Sequence, residues 1–268
     1  MKNLLTFDVE EWFHANYSAV EIPEKQDQDE RLERNVQKLL GLCEKHKARA
    51  TFFVLGETAE RYPKAVLRIR EKGHEVASHG YRHDLVFRLT PEAFAADLKK
   101  SIAILEEIAQ EKILGYRAPS WSTFRHLEWF FDILEKNGLI YDSSLFPAKT
   151  YLYGDRLAER FPHRIHNLNE IPASTLALGR WRIPFGSGFF FRFFPYFFIK
   201  TGIKTLNKKG QPGMICLHPR EIDASSPRLA LPPRERFIHF VNLKTAAQKL
   251  DKLLSTFRFC SIREFLSL

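Results

Sequence analysis

Short apolar runs alternate with helix-period stretches along most of this chain, and that alternation constrains its fold more than any other feature. Leu4-Leu5-Thr6-Phe7 reads as a buried strand. An amphipathic stretch over about 29–46 follows, then a strand at 50–56, a helix to Lys72 and a strand at 75–78. Thr90-Pro91 is a helix start, because threonine caps the first amides and proline lacks an N–H that would be orphaned there anyway. That helix continues through Ile102, Leu105 and Ile108. Strands are predicted at 113–117, 141–142, 169–172 and 214–218, with helices near 128–136 and 243–254. Repeated strand-helix units need crossover connections, so the fold class is α/β with a parallel sheet, doubly wound or closed into a barrel. Residues able to do chemistry fall at the carboxyl ends of several of these strands, which favours a barrel.

The chemistry gathers around four side chains. Period-two geometry sends Asp8 and Glu10 out of one strand face, and two adjacent carboxylates repel unless a cation or arginine stands beside them. His79 and His83 are four apart, so on a helical turn both rings would point the same way. Two imidazoles and a carboxylate suit zinc or a neighbouring first-row ion and leave a coordination position open, the mark of a catalytic site. Taken together, these residues point to a metal-dependent hydrolase.

At 268 residues, with 44% hydrophobic content, the chain can bury one large core, and a single domain over 1–268 is expected. Cys43, Cys216 and Cys260 are widely spaced and odd in number, arguing for buried reduced thiols. Met1-Lys2-Asn3 runs straight into the first strand and no run of eighteen apolar residues occurs, so a cytoplasmic chain is expected. The charge of +9 suits an anionic partner, but the basic residues are scattered through the predicted helices and read first as a solvated cationic surface; no nucleic-acid motif is present and a nucleic-acid role is not expected. The aromatic run 188–200 leads into Lys200, Lys204 and Lys208, opposite Ile199, Ile203 and Leu206. It reads as an aromatic wall of a substrate groove or core, or as a helix resting at the inner face of an anionic membrane.

Five motifs then appear in order: Thr6-Phe7-Asp8-Val9-Glu10, Ser78-His79-Gly80-Tyr81-Arg82-His83, Arg117-Ala118-Pro119-Ser120-Trp121, Asp142-Ser143-Ser144 and Leu217-His218. In this order they resemble NodB-type polysaccharide deacetylases over nearly the whole chain. The stretches 218–223 and 186–196 look like the exosortase-associated exopolysaccharide deacetylases, whose C-terminal extension would fall within roughly 180–268. The resemblance implies a distorted (β/α)7 barrel and hydrolytic removal of acetyl from an N-acetylhexosamine, in a polysaccharide or its lipid-linked precursor.

Carried over by motif, Asp8 would be the general base, and Glu10, His79 and His83 would hold a divalent ion, Zn2+ or alternatively Co2+. Arg117 would pair with Asp8, His218 would be the general acid, and Asp142 would raise its basicity. Trp121, Tyr81 and Leu217 would meet substrate. Val9 separates Asp8 from Glu10, so either Glu10 or Glu11 could be the metal carboxylate. Cys216 stands two before His218 and, in a buried strand, is not expected to be a nucleophile. His14 and Asp84 lie near the motifs without an assigned role. Two further readings stand beside the deacetylase: a hydrolase of small cyclic amides or ureides, and a non-catalytic glycan-binding module.

Overall fold

The computed structural model describes residues 1–14, 31–150, 153–227 and 229–268; the expected start of the first helix, at 29–30, lies outside them. Strand β1 (Lys2–Val9) is followed by α1 (Arg31–Lys45), which buries Leu32, Val36, Leu39, Leu40 and Cys43 along one stripe. After β2 (Thr51–Val54), the single helix expected up to Lys72 is two, α2 (Gly56–Arg61) and α3 (Pro63–Glu71). Pro63 divides them, since it can begin a helix but cannot donate within one. Strand β3 (Glu75–Ser78) leads to α4 (Pro91–Ala109), where Thr90 Oγ1 accepts from the Ala93 amide at 3.2 Å as the cap pattern predicts. Then come β4 (Gly115–Tyr116), α5 (Glu128–Lys136) and β5 (Tyr141–Asp142).

The second half is less regular. A hairpin, β6 (His163–Ile165) and β7 (Leu168–Glu170), precedes a separate two-stranded ribbon, β8 (Thr175–Leu178) and β9 (Trp181–Pro184). The aromatic run forms α6 (Gly188–Phe193) and α7 (Tyr196–Asn207), broken at Pro195. Strand β10 (Met214–Leu217), helices α8 (Pro233–Phe240) and α9 (Leu243–Thr256), β11 (Arg258–Cys260) and α10 (Ile262–Leu266) complete the described chain.

The main sheet runs β10-β1-β2-β3-β4-β5-β7-β6, with β11 also paired to β1. Seven strands from β10 to β7 are mutually parallel, and only the β6–β7 pair is antiparallel. The sheet curls into a half-barrel, as the expected α/β barrel class requires. Because β1 and β10 are neighbours, Leu4–Phe7 and Met214–Leu217 lie side by side and bring the two ends of the chain's chemistry together.

Strand alternation separates two environments. Leu5, Phe7 and Val9 join the large core between the sheet and its helices. Leu4 faces inward with Phe53, Ala77, Tyr141 and Met214. Thr6 and Asp8 share that inner face by period two, so the carboxylate projects into the half-barrel at the carboxyl end of β1.

Candidate active site

Asp8 is buried, and its Oδ1 accepts from Arg117 Nη1 at 2.6 Å. The guanidinium is wholly enclosed and is held on every side. Its Nη1 also donates to Thr6 Oγ1 (2.9 Å), its Nε to the Ser143 carbonyl (3.1 Å) and its Nη2 to Ser143 Oγ (2.9 Å), while Phe53 lies 4.0 Å beneath. Burial alone would push the Asp8 carboxyl up. Arg117, then His79 and His218, outweigh that and hold it below the usual range, so Asp8 is ionised.

Glu10 follows β1 by one residue, and its side chain returns to the same inner face. His83 Nε2 lies 2.7 Å and His79 Nε2 3.8 Å from Glu10 Oε2. His79 Nδ1 meets the Arg117 carbonyl at 2.7 Å, which makes Nδ1 the protonated nitrogen and turns the Nε2 lone pair toward Glu10. One donor atom from each of Glu10, His79 and His83 lies within 4.8 Å of the others. Two imidazole nitrogens and a buried carboxylate around one point fit a divalent first-row ion. Glu11, the alternative, is engaged elsewhere: Tyr62 donates to it at 2.7 Å, and Arg61 lies 3.8 Å away.

The histidine spacing works differently from the helical turn expected. Residues 79–83 form a loop in which Gly80 has φ 84°, a conformation a side chain would strain. The loop is held from outside: Asp97 accepts from the Tyr81 and Arg82 amides, Ser101 Oγ donates to the Gly80 carbonyl, and the Gly56 amide at the start of α2 shares that carbonyl. The His79 and His83 rings stand 5.8 Å apart at 66°.

His218, directly after β10, closes the site opposite. Its Nε2 is 3.3 Å from Glu10 Oε1 and 3.9 Å from Asp8 Oδ2. The carboxylate on its Nδ1 belongs to Glu221, at 3.2 Å, and not to Asp142 as expected. Asp142 sits at the end of β5, accepts from Ser144 Oγ and faces Glu170. Burial pushes the Asp142 carboxyl up to about 6 and raises Glu170 well above its usual value, so these two acids hold a proton between them. Glu221 is reached because a short turn after His218 returns the chain three residues later. It is wholly buried and bonded to buried Arg192 at 2.9 Å. Arg192 in turn donates to the carbonyls of Ile238, His239 and Val241 at the C-terminal end of α8, where the helix dipole is negative. Sequence reasoning missed both residues; the signal available was Glu221 three after His218, the spacing of a capping pair.

A cavity of about 480 Å³ opens over these groups. Asp8, Glu10, His83 and His218 form its floor, and Trp121, Tyr153, Phe189 and Phe190 its walls. Ser120 and Trp121 both take left-handed backbone, φ 52° and 47°, which places the indole at the cavity. The Trp121 N–H is buried without a hydrogen-bond partner among the described residues. The aromatic wall expected of the 188–200 run is therefore supplied by its first two phenylalanines. Tyr81 and Leu217, expected to meet substrate, lie elsewhere: Tyr81 bonds Glu60 beneath Lys100, and Leu217 is core. The Cys216 thiol approaches Asp8 Oδ2 at 3.4 Å; burial and that charge push its pKa well up, so it stays protonated. His14 stacks on His83 at 5.6 Å, with burial lowering it to about 4.

Comparison with known proteins adds the following. Residues 4–138 match the family described as polysaccharide deacetylase, and residues 143–267 match a domain of unknown function, DUF3473. A peptidoglycan-N-acetylglucosamine deacetylase of Bacillus cereus is 29% identical over 118 residues, 40% of this chain and 43% of that protein. This chain thus spans less than half the length of the curated relatives it matches first. A Mycobacterium smegmatis structure, solved as a candidate polysaccharide deacetylase, superposes with a TM-score of 0.65 at 19% identity, covering 98% of this chain and 88% of that one. A CE4-family pseudoenzyme of Bacillus anthracis superposes at 0.53 and 16%, covering 99% and 66%. Both structural likenesses concern the fold.

Proposed function

Since this chain belongs to the polysaccharide deacetylase family, we propose that it hydrolyses the acetamide of an N-acetylhexosamine, in a polysaccharide or its lipid-linked precursor, releasing acetate and an amine. The observation that carries this reading is the placement of the Glu10, His79 and His83 donor set between ionised Asp8 and His218. That is a base, an acid and an electrophile site around one small volume.

When bound by Glu10, His79 and His83, a divalent ion, Zn2+ or Co2+, would polarise the acetyl carbonyl and acidify water. The chain's own groups do the rest. Arg117 occupies Asp8 Oδ1 and leaves Oδ2 toward the site to take the proton of the attacking water. His218 Nε2 delivers a proton to the departing amine, and anionic Glu221 on Nδ1 stabilises the imidazolium that carries that proton. Trp121, Tyr153 and Phe190 give the cavity apolar faces suited to a sugar ring, and the Trp121 N–H offers a donor for an acetyl or hydroxyl oxygen.

A place in exopolysaccharide synthesis, on the cytoplasmic side, completes the proposal. Its supports are the likeness of 218–223 and 186–196 to the exosortase-associated branch and three free, buried thiols. A single working unit over 1–268 is proposed with it, because β1 and β10 build one site from both matched regions. The cyclic-amide reading is not favoured, since the matched relatives are named for acetylated glycans.

The test is acetate release from N-acetylglucosamine oligomers and lipid-linked precursors. Chelated protein would be re-supplied with zinc, cobalt or nothing, beside Asp8→Asn and His218→Ala. Metal-dependent release lost in both variants is expected; metal binding without turnover on any glycan would sink the deacetylase reading and favour a binding module.

A further inference from the structure

The charge of this protein is not spread evenly. Residues 171–220 contain eight of its 41 lysines and arginines and none of its 32 acids, so this segment carries +8 of the net +9. Arg192 is buried against Glu221, but Arg180, Lys204, Lys208 and Lys209 are exposed. The same segment holds the exposed apolar side chains Leu178, Trp181, Phe193 and Phe197, the last 69% exposed.

These residues are ordered by the fold. On α7 the buried stripe is Ile199, Ile203 and Leu206, and the opposite stripe is Phe197, Thr201 and Lys204, continued by Lys208 at the helix's C-cap, at spacings of four, three and four. Phe193 extends that exposed stripe from α6. Beside α7 packs strand β8, whose hairpin with β9 ends in the exposed pair Leu178 and Trp181, with Arg180 over the indole at 5.2 Å. Phe193 also begins a run of ring contacts that leads inward: it stacks on Phe189 at 5.3 Å and meets Phe237 at 6.3 Å, and both line the active-site cavity.

We infer that this face is a docking surface for an anionic lipid bilayer, with Trp181, Phe193 and Phe197 entering the interface and the lysines of α7 on lipid headgroups. An exposed aromatic stripe flanked by cations, in a segment with no acid, matches a negatively charged apolar boundary on both counts. The ring contacts from Phe193 to Phe189 and Phe237 put the cavity mouth at that boundary. A glycan still attached to a lipid would reach Asp8 and His218 from there. This last step rests on the deacetylase reading, whereas the docking does not.

The whole chain would be sedimented with vesicles of phosphatidylcholine alone and of phosphatidylcholine with 30% phosphatidylglycerol, at low and high salt. Trp181→Ser/Phe197→Ser and Lys204→Gln/Lys208→Gln would be run alongside. Binding to the anionic vesicles only, weakened by salt, is expected, with about fivefold lost for each lysine removed. Equal binding by the variants, or none by the parent chain, overturns the proposal. So does a dimer in ultracentrifugation that Trp181→Ser/Phe197→Ser dissolves, since the face would then belong to a second copy. Acetate release from a soluble chitooligosaccharide should be unchanged in these variants. If no acetate is released by any protein while vesicle binding follows the expected pattern, the deacetylase reading has failed and the docking has not.

Discussion

One carboxylate oxygen of Glu221 meets His218 twice, accepting from its backbone amide at 3.1 Å and lying 3.2 Å from its Nδ1. Burial would raise the Glu221 carboxyl, but His218 and Arg192 hold it well below its ordinary value, so the partner of His218 is an anion. This fixes both the direction and the tautomer of the ring.

Glu221→Gln should therefore lower kcat on an N-acetylated sugar by about 100-fold, the scale of general acid catalysis. An aryl acetate, whose leaving group needs no proton, should lose far less. Steady-state kinetics on both substrates provide the check, and an equal loss on the two would mean that Glu221 only supports the fold.

Glu10 and Glu11 should separate cleanly in metal binding. Glu10→Gln removes a donor and should weaken Zn2+ affinity by at least about 100-fold, whereas Glu11→Gln, which alters a contact with Tyr62, should change it by less than about threefold. Calorimetric titration of chelated protein distinguishes them, and the reverse ranking would make Glu11 the ligand.

Arg117→Met should cost about 3–5 kcal/mol of stability, because it strands the buried Asp8 carboxylate. Adding Asp8→Asn to that variant should recover part of the loss. Urea unfolding of the two single variants and the double variant tests the coupling; additive losses would argue against a direct charge pair.

Acid should destabilise the protein through His74. Its Nδ1 accepts from the Ala50 amide at 3.2 Å, and burial, then Arg49 and Lys72, lower its pKa to about 4. The unfolded chain takes up a proton near pH 6.5 that the folded protein refuses. Stability from this group is thus complete above that pH and is lost as pH falls toward 4. Between pH 7 and 5 the loss is about 2 kcal/mol. His74→Asn should remove it, as seen in the pH dependence of urea midpoints; parallel curves for the two proteins would refute it.

Much of the parallel sheet was legible because its strands are buried on both faces and read as apolar runs. Lys2–Val9, Thr51–Val54 and Met214–Leu217 lie where the pattern predicts them. The β8–β9 ribbon, β11 and the short helices α6, α8 and α10 were not, because half-exposed or few-residue elements carry too little period to stand out. In the site, Asp8, Glu10, His79, His83, Arg117 and His218 were identified from local motifs, and the structure brings them together.

By itself the sequence determined the alternation of parallel strands and longer helices, the cap at Thr90 and the set of ionisable side chains, since each depends on neighbours within a few residues. Only the tertiary structure decided which carboxylate serves His218. Asp142 and Glu221 are both acids near a motif, but β5 carries Asp142 toward Glu170, while a single turn after β10 returns Glu221 to the imidazole with Arg192 behind it. Glu10 and Glu11 part likewise: Glu10 lies beside His79 and His83, while Tyr62 and Arg61 draw Glu11 outward. An ionised side chain goes to the charge and the donors that three-dimensional packing sets beside it, and those come from positions far apart in the chain.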